Sequence, residues 1–131
     1  MIKAINPINF GYSSILKTLC KQGKISPPDF YGGELSKDTV SVEHIKLHSK
    51  GGQTKLSNIV LTSAKNNNLR GNKPLIDFFN PEAAKEYFNY FAGLLVPYKQ
   101  KGKIKVFDGD CYIKNVQKTI SEVLKEDGIK F

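Results

Sequence analysis

Cysteine is scarce in this chain. Cys20 and Cys111 are its only two, they lie far apart, and neither belongs to a CxxC pair. That excludes a disulfide scaffold and a zinc knuckle, and it suits a reducing compartment. Long apolar runs are also missing. No stretch of about 18 apolar residues occurs, so no membrane-spanning helix is expected. The opening segment "MIKAINPINFGYSS" has no apolar core of the kind a signal peptide carries, so a cytoplasmic protein is expected. Repeats and low-complexity linkers are absent too. The 131 residues therefore read as one domain, 1–131, with one modest core. Acidic residues fall short: 12 Asp and Glu against 20 Lys and Arg give a net charge of +8. A surplus of that size favours polyanionic partners, nucleic acid first among them.

What is present divides into recognisable pieces. "YSSILKTLCKQG" reads as a short helix capped by Ser13 or Ser14, with Ile15, Leu16 and Leu19 on one face and Gly23 at its end. "ISPPDFYGGELSKD" is turn and loop. "TVSVEHI" alternates like a strand, "KLHSKGGQTKLS" is a long basic loop, and "NIVLT" is a second strand. "SAKNNNLRG" is a short helix closed by Gly71. Asparagine is a poor choice for a helix interior, so three in a row need another reason. Further on, Asn80 and Pro81 start a helix whose Ala84, Tyr87, Phe88, Phe91 and Leu95 recur at core-facing spacing. "KGKIKVF" is a short strand or an extended arm, its lysines a solvated face or a phosphate-tracking one. "CYIKNVQKTISEVLKEDG" is a final helix with Ile113, Val116, Ile120 and Val123 inward.

The residues able to do chemistry lie in the middle. Glu43 and an asparagine amide offer hard oxygen ligands suited to a cation such as Mg²⁺. His44, with an ordinary pKa near neutrality, suits abstraction of a proton from water. A regular strand sends these neighbours to opposite faces, so one shared site requires the strand to end or twist there.

The pieces "VEHIKLHSKGG", "LSNIVL" and "NNNLRGNKP", spanning about a third of the chain, resemble the HNH endonuclease family and its ββα-metal fold. The resemblance implies an α+β protein with a ββα-metal (His-Me finger) motif at 38–74 embedded among flanking α-helices, and a helical C-terminal part at 80–127 packed on it. It implies a metal-dependent endonuclease that hydrolyses DNA phosphodiesters, nicking as a monomer or cutting both strands as a homodimer, with RNA not excluded and no membrane partner. His44 would be the general base. Asn58 would fix the loop that presents it, completing the catalytic pair. Glu43 and Asn67 would hold one Mg²⁺ or Mn²⁺, and Lys50, Arg70, Lys73 and His48 would meet flanking phosphates. Many family members brace the motif with zinc held by two CxxC pairs. Here Asp29, Gly32, Ser63 and Asn66 stand at those positions, so no structural zinc is expected and the aromatic residues Tyr87, Phe88 and Phe91 are candidates for the bracing. A phage, mobile-element or defence setting would suit such a protein. The rival expectation is a non-catalytic DNA- or RNA-binding protein that keeps the nuclease fold.

Overall fold

A computed structural model describes residues 15–128 of the chain. The fold is α+β, with two separate two-stranded antiparallel sheets set among helices. Helix α1 covers residues 15–21 and sends Leu16, Leu19 and Cys20 into the core. Gly23 follows it with a left-handed backbone (φ 77°), the usual helix-ending conformation. The two serines expected to cap α1 lie outside the described residues.

Strands β1 (Val40–His44) and β2 (Ile59–Ser63) form the first sheet, with Glu43 opposite Val60 and His44 opposite Ile59. A long connection joins them, tightened by single 3₁₀ turns at His48–Lys50 and Leu56–Asn58. Helix α2 (Ala64–Arg70) follows β2 directly. Ser63 caps it, its hydroxyl accepting from the Asn66 amide at 3.0 Å. Helices α3 (Leu75–Phe78) and α4 (Pro81–Phe91) come next, and Asn80 caps α4 through the Glu82 and Ala83 amides.

The α4 helix stops at Phe91, one turn before the expected Leu95. That leucine opens strand β3 (Leu95–Gln100) and is 64% exposed. β3 pairs with β4 (Lys103–Asp108), so "KGKIKVF" is the second strand of a hairpin and the C-terminal part is not purely helical. Gly93 makes the break possible, with φ at 73°. Helix α5 (Gly109–Glu126) then buries Ile113, Val116, Ile120 and Val123, as its spacing requires.

The outer edge of β2 is closed by side chains. The Leu61 amide donates to Tyr87 Oη at 3.0 Å, and the Ile59 carbonyl accepts from Tyr112 Oη at 2.7 Å. The two phenols lie 2.8 Å apart; because the Tyr112 hydrogen goes to Ile59, Tyr87 donates to Tyr112 and both hydroxyls are matched. Phe30 completes the edge, its amide bonding the Leu61 carbonyl at 3.1 Å. Its ring meets Tyr87 edge-on at 5.4 Å and Phe88 at 6.1 Å. The aromatic residues of α4 are thus core packing that braces the first sheet.

Candidate functional site

Alternation along β1 decides the layout. Ser41 and Glu43 face α2, and His44, the last residue of the strand, faces the long loop. On the α2 side, Asn67 donates through Nδ2 to Ser41 Oγ at 2.7 Å and to the Val42 carbonyl at 3.1 Å. One turn later, Arg70 meets Glu43: Nη1 lies 3.2 Å from Oε2. The strand ends at His44, but its side chain and that of Glu43 keep separate partners on the two sides of β1.

Arg70 is 1% exposed and fully engaged. Nη1 also donates to the His44 carbonyl at 2.8 Å and to Tyr31 Oη at 3.3 Å, Nη2 to the Ile45 carbonyl at 3.2 Å, and Nε to the Lys73 carbonyl at 3.0 Å. This corrects the expectation that Arg70 meets phosphate. The fork of guanidinium donors instead clamps the end of β1 from within, a geometry that lysine does not reproduce. Tyr31 donates its hydroxyl to the same Glu43 oxygen at 2.5 Å. Burial pushes the Glu43 carboxyl up, against the downward pull of Tyr31 and Arg70. The Tyr31 phenol is pushed far up by burial and by the adjacent carboxylate.

On the other side, His44 is half-buried, with Nε2 2.8 Å from Thr54 Oγ1. The His48 ring stands edge-on to it at 5.4 Å. Burial, and secondarily the His48 charge, lower the His44 pKa from 6.5. The imidazole is therefore neutral, and able to accept a proton, further into the acid range than a free histidine. His48 and Lys50 are exposed beside it. Lys73 is also exposed, but its ammonium rests on the Leu69 carbonyl at 2.6 Å, where it caps the end of α2.

Asn58 is 4% exposed and holds the loop as expected. Its Oδ1 accepts from the Lys46 amide at 2.7 Å, and its Nδ2 donates to the Lys46 and Gln53 carbonyls at 3.1 and 2.9 Å. Two glycines let the loop fold this tightly. Gly51 is left-handed (φ 89°), and a Cβ on Gly52 would collide with the Lys46 carbonyl.

The four positions compared with zinc cysteines hold a hydrogen-bonded carboxylate. Buried Asp29 accepts from the Ser63 amide at 2.9 Å, from Asn66 Nδ2 at 3.1 Å, from the Tyr31 amide at 2.8 Å and from the Thr62 hydroxyl. Gly32 closes the turn on the Asp29 carbonyl at 3.0 Å. Asp29 was not among the expected functional residues. Its one legible signal was its place in "DFYGG", spaced as the first ligand of a metal pair. The same bonds account for Asn66, and Asn68 points to solvent without a role that the structure explains.

Glu43 and Asn67 suit a hard cation by donor type. Both are oxygen donors on the α2 side of β1, and Asn67 uses only its nitrogen in the hydrogen bonds described. Among the described residues no three His, Cys, Asp or Glu side chains gather as a cation site, at Glu43 or elsewhere. An ion on this pair would complete its shell with solvent, as Mg²⁺ commonly does. It would also compete with Arg70, because both side-chain partners of Glu43 converge on Oε2. Comparison with protein-family models, with curated proteins and with solved structures finds no match to this chain.

Proposed function

We propose that the chain is a metal-dependent endonuclease of the HNH type, acting on DNA through a ββα-metal site. The observation that carries this reading is the presentation of His44. Its backbone carbonyl is clamped by Arg70, its loop is pinned by Asn58, and its ring is neutral and half-buried at the strand end. A fixed, neutral imidazole beside exposed His48 and Lys50 is what removal of a proton from an attacking water requires. His44 would take that proton as the water oxygen bonds to phosphorus. The P–O3′ bond then breaks, leaving a 5′ phosphate and a 3′ hydroxyl. Glu43 and Asn67 would hold Mg²⁺ or Mn²⁺, which when bound offsets charge developing on the phosphate oxygens. Asn58 positions and does not touch the reacting atoms.

The test is relaxation of supercoiled plasmid with Mg²⁺ or Mn²⁺, run beside EDTA and the His44→Ala variant. Nicking should disappear in EDTA and fall about 10²- to 10⁴-fold in the variant. The rate should fall as pH drops through the His44 pKa, with a midpoint below 6.5. A variant that cuts like the wild type would sink the mechanism.

Two observations favour the second reading, a nucleic-acid binder without turnover: Glu43 already has a cation in Arg70, and its carboxylate and the His44 ring keep separate partners on the two sides of β1. Under that reading Mg²⁺ and Mn²⁺ leave the melting temperature unchanged, and duplex is bound but not cut.

A further inference from the structure

The β3–β4 hairpin stands apart from the chemistry described above. It carries Lys99, Lys101, Lys103 and Lys105, all exposed, and no acidic residue between Leu95 and Phe107. Among the described residues none of the four is in an ion pair; Lys105 makes one hydrogen bond, to Gln100 Oε1 at 3.1 Å. At the tip, Lys101 and Gly102 both have positive φ, 53° and 77°. Two such residues define the type I′ turn that matches strand twist, and asparagine or glycine is the usual first residue. Lysine there is strained, and among the described residues it is the only non-glycine with positive φ. Charge has been placed at the tip against local backbone preference.

The hairpin's outward face is apolar. Register puts Pro97 beside Val106 and Lys99 beside Ile104. Ile104 is 72% exposed and Val106 56%. The inward face covers a cavity of about 400 Å³, lined by Tyr98, Lys101, Lys105, Leu56 and Ser57 among others. Ser57 and Asn115 also line a second cavity of about 410 Å³, which includes Lys46, Lys55, Lys118 and the Glu122 carboxylate. That cavity reaches Asn58 and Gln53, the residue before the partner of His44. The two cavities thus adjoin at Ser57 and Asn115, with Lys101, Lys105 and Asp108 around the first and three lysines and Glu122 around the second.

We infer that the hairpin is a DNA-gripping ribbon that lies along a groove of the duplex while its lysines meet the flanking phosphates. The inference rests on DNA as the partner, not on hydrolysis. Two features favour a groove over a flat anionic surface. Lysines occur on both faces and at the tip, so the ribbon is positive towards two phosphate rows at once. A two-stranded ribbon fits the major groove in cross-section, and six residues reach about 20 Å along it. Ile104 and Val106 would meet sugars and base edges.

The experiment is fluorescence anisotropy of a labelled 20-base-pair duplex in EDTA, across a salt series. Replacing all four lysines by glutamine should weaken binding roughly tenfold or more and reduce the log–log salt slope by about 3.6, since each phosphate contact contributes about 0.9. Lys101→Asn should reduce the slope by about 1 while melting no lower than the wild type, because asparagine suits the turn. Unchanged slopes, or no duplex binding by the wild type, would overturn the inference. So would loss of binding to phosphatidylserine vesicles with duplex binding intact, which would assign the hairpin to membranes. Plasmid nicking separates the two proposals. A lysine-dependent slope without nicking overturns hydrolysis alone, and nicking without that dependence overturns the hairpin alone.

Discussion

The molecule contains two sheets of the same topology and opposite character. Both are antiparallel pairs of five- or six-residue strands. In the first, every residue of β2 except Ser63 is buried, its free edge is bonded to two tyrosines and Phe30, and a charged pair is sealed against β1. In the second, only Val96 and Phe107 are buried, Tyr98 is half-buried, and Leu95, Pro97, Ile104 and Val106 face solvent. Pairing alone therefore settles little. A two-stranded sheet is marginal in water, and what covers it decides whether it is scaffold or surface. The first is covered on its α2 side and along its β2 edge. The second keeps two open edges, protected by lysine and by Pro97, as exposed edges commonly are.

Substitutions can break this contrast. The largest effect is expected from Arg70→Met. It removes the only cation facing Glu43 among the described residues and leaves three backbone carbonyls without their donor, so stability should fall by about 3–5 kcal/mol, measured by urea unfolding. If Glu43 were instead exposed to water in solution, the loss would stay under about 1 kcal/mol. An intermediate effect is expected from Tyr112→Phe. The Ile59 carbonyl and the Tyr87 hydroxyl would lose their partner at a buried edge, costing about 1–3 kcal/mol. A loss confined to the van der Waals terms of one oxygen would mean that water replaces the phenol. The smallest is expected from Ile104→Thr on the open hairpin, within about 0.5 kcal/mol by thermal melting. A larger loss would mean that the hairpin's outer face is covered in solution, erasing the difference between the sheets.

Much of the first sheet was legible. Strand, loop, strand and helix follow from alternation and from glycine placement, Gly71 included, because these are local preferences written in adjacent residues. The role of Asn58 was legible only through the resemblance carried by "LSNIVL", since the burial of its amide is not written in adjacent residues. The hairpin was only half legible. Helical spacing carried past Gly93 to Leu95, and Pro97 hid the strand character of β3. Lys-Gly is also a weaker turn signal than Asn-Gly, so nothing local announced the reversal.

Arg70 marks the boundary between the two kinds of information. By itself the sequence determined an arginine at the end of a short helix and a glutamate near the end of a strand, in a strongly basic chain. From composition, an arginine in such a chain belongs at the surface. Only the tertiary structure decided that this one is inside, because burial depends on Tyr31, β1 and the turn after α2 closing around it at once. The same holds for Asp29, whose carboxylate gains its four donors only when its own turn meets the stretch from Thr62 to Asn66. Local periodicity is a property of neighbours in the chain. Which charges are neutralised within, and which remain for a partner, depends on residues far apart in the chain, such as Glu43 and Arg70, 27 positions apart, and no local pattern encodes that.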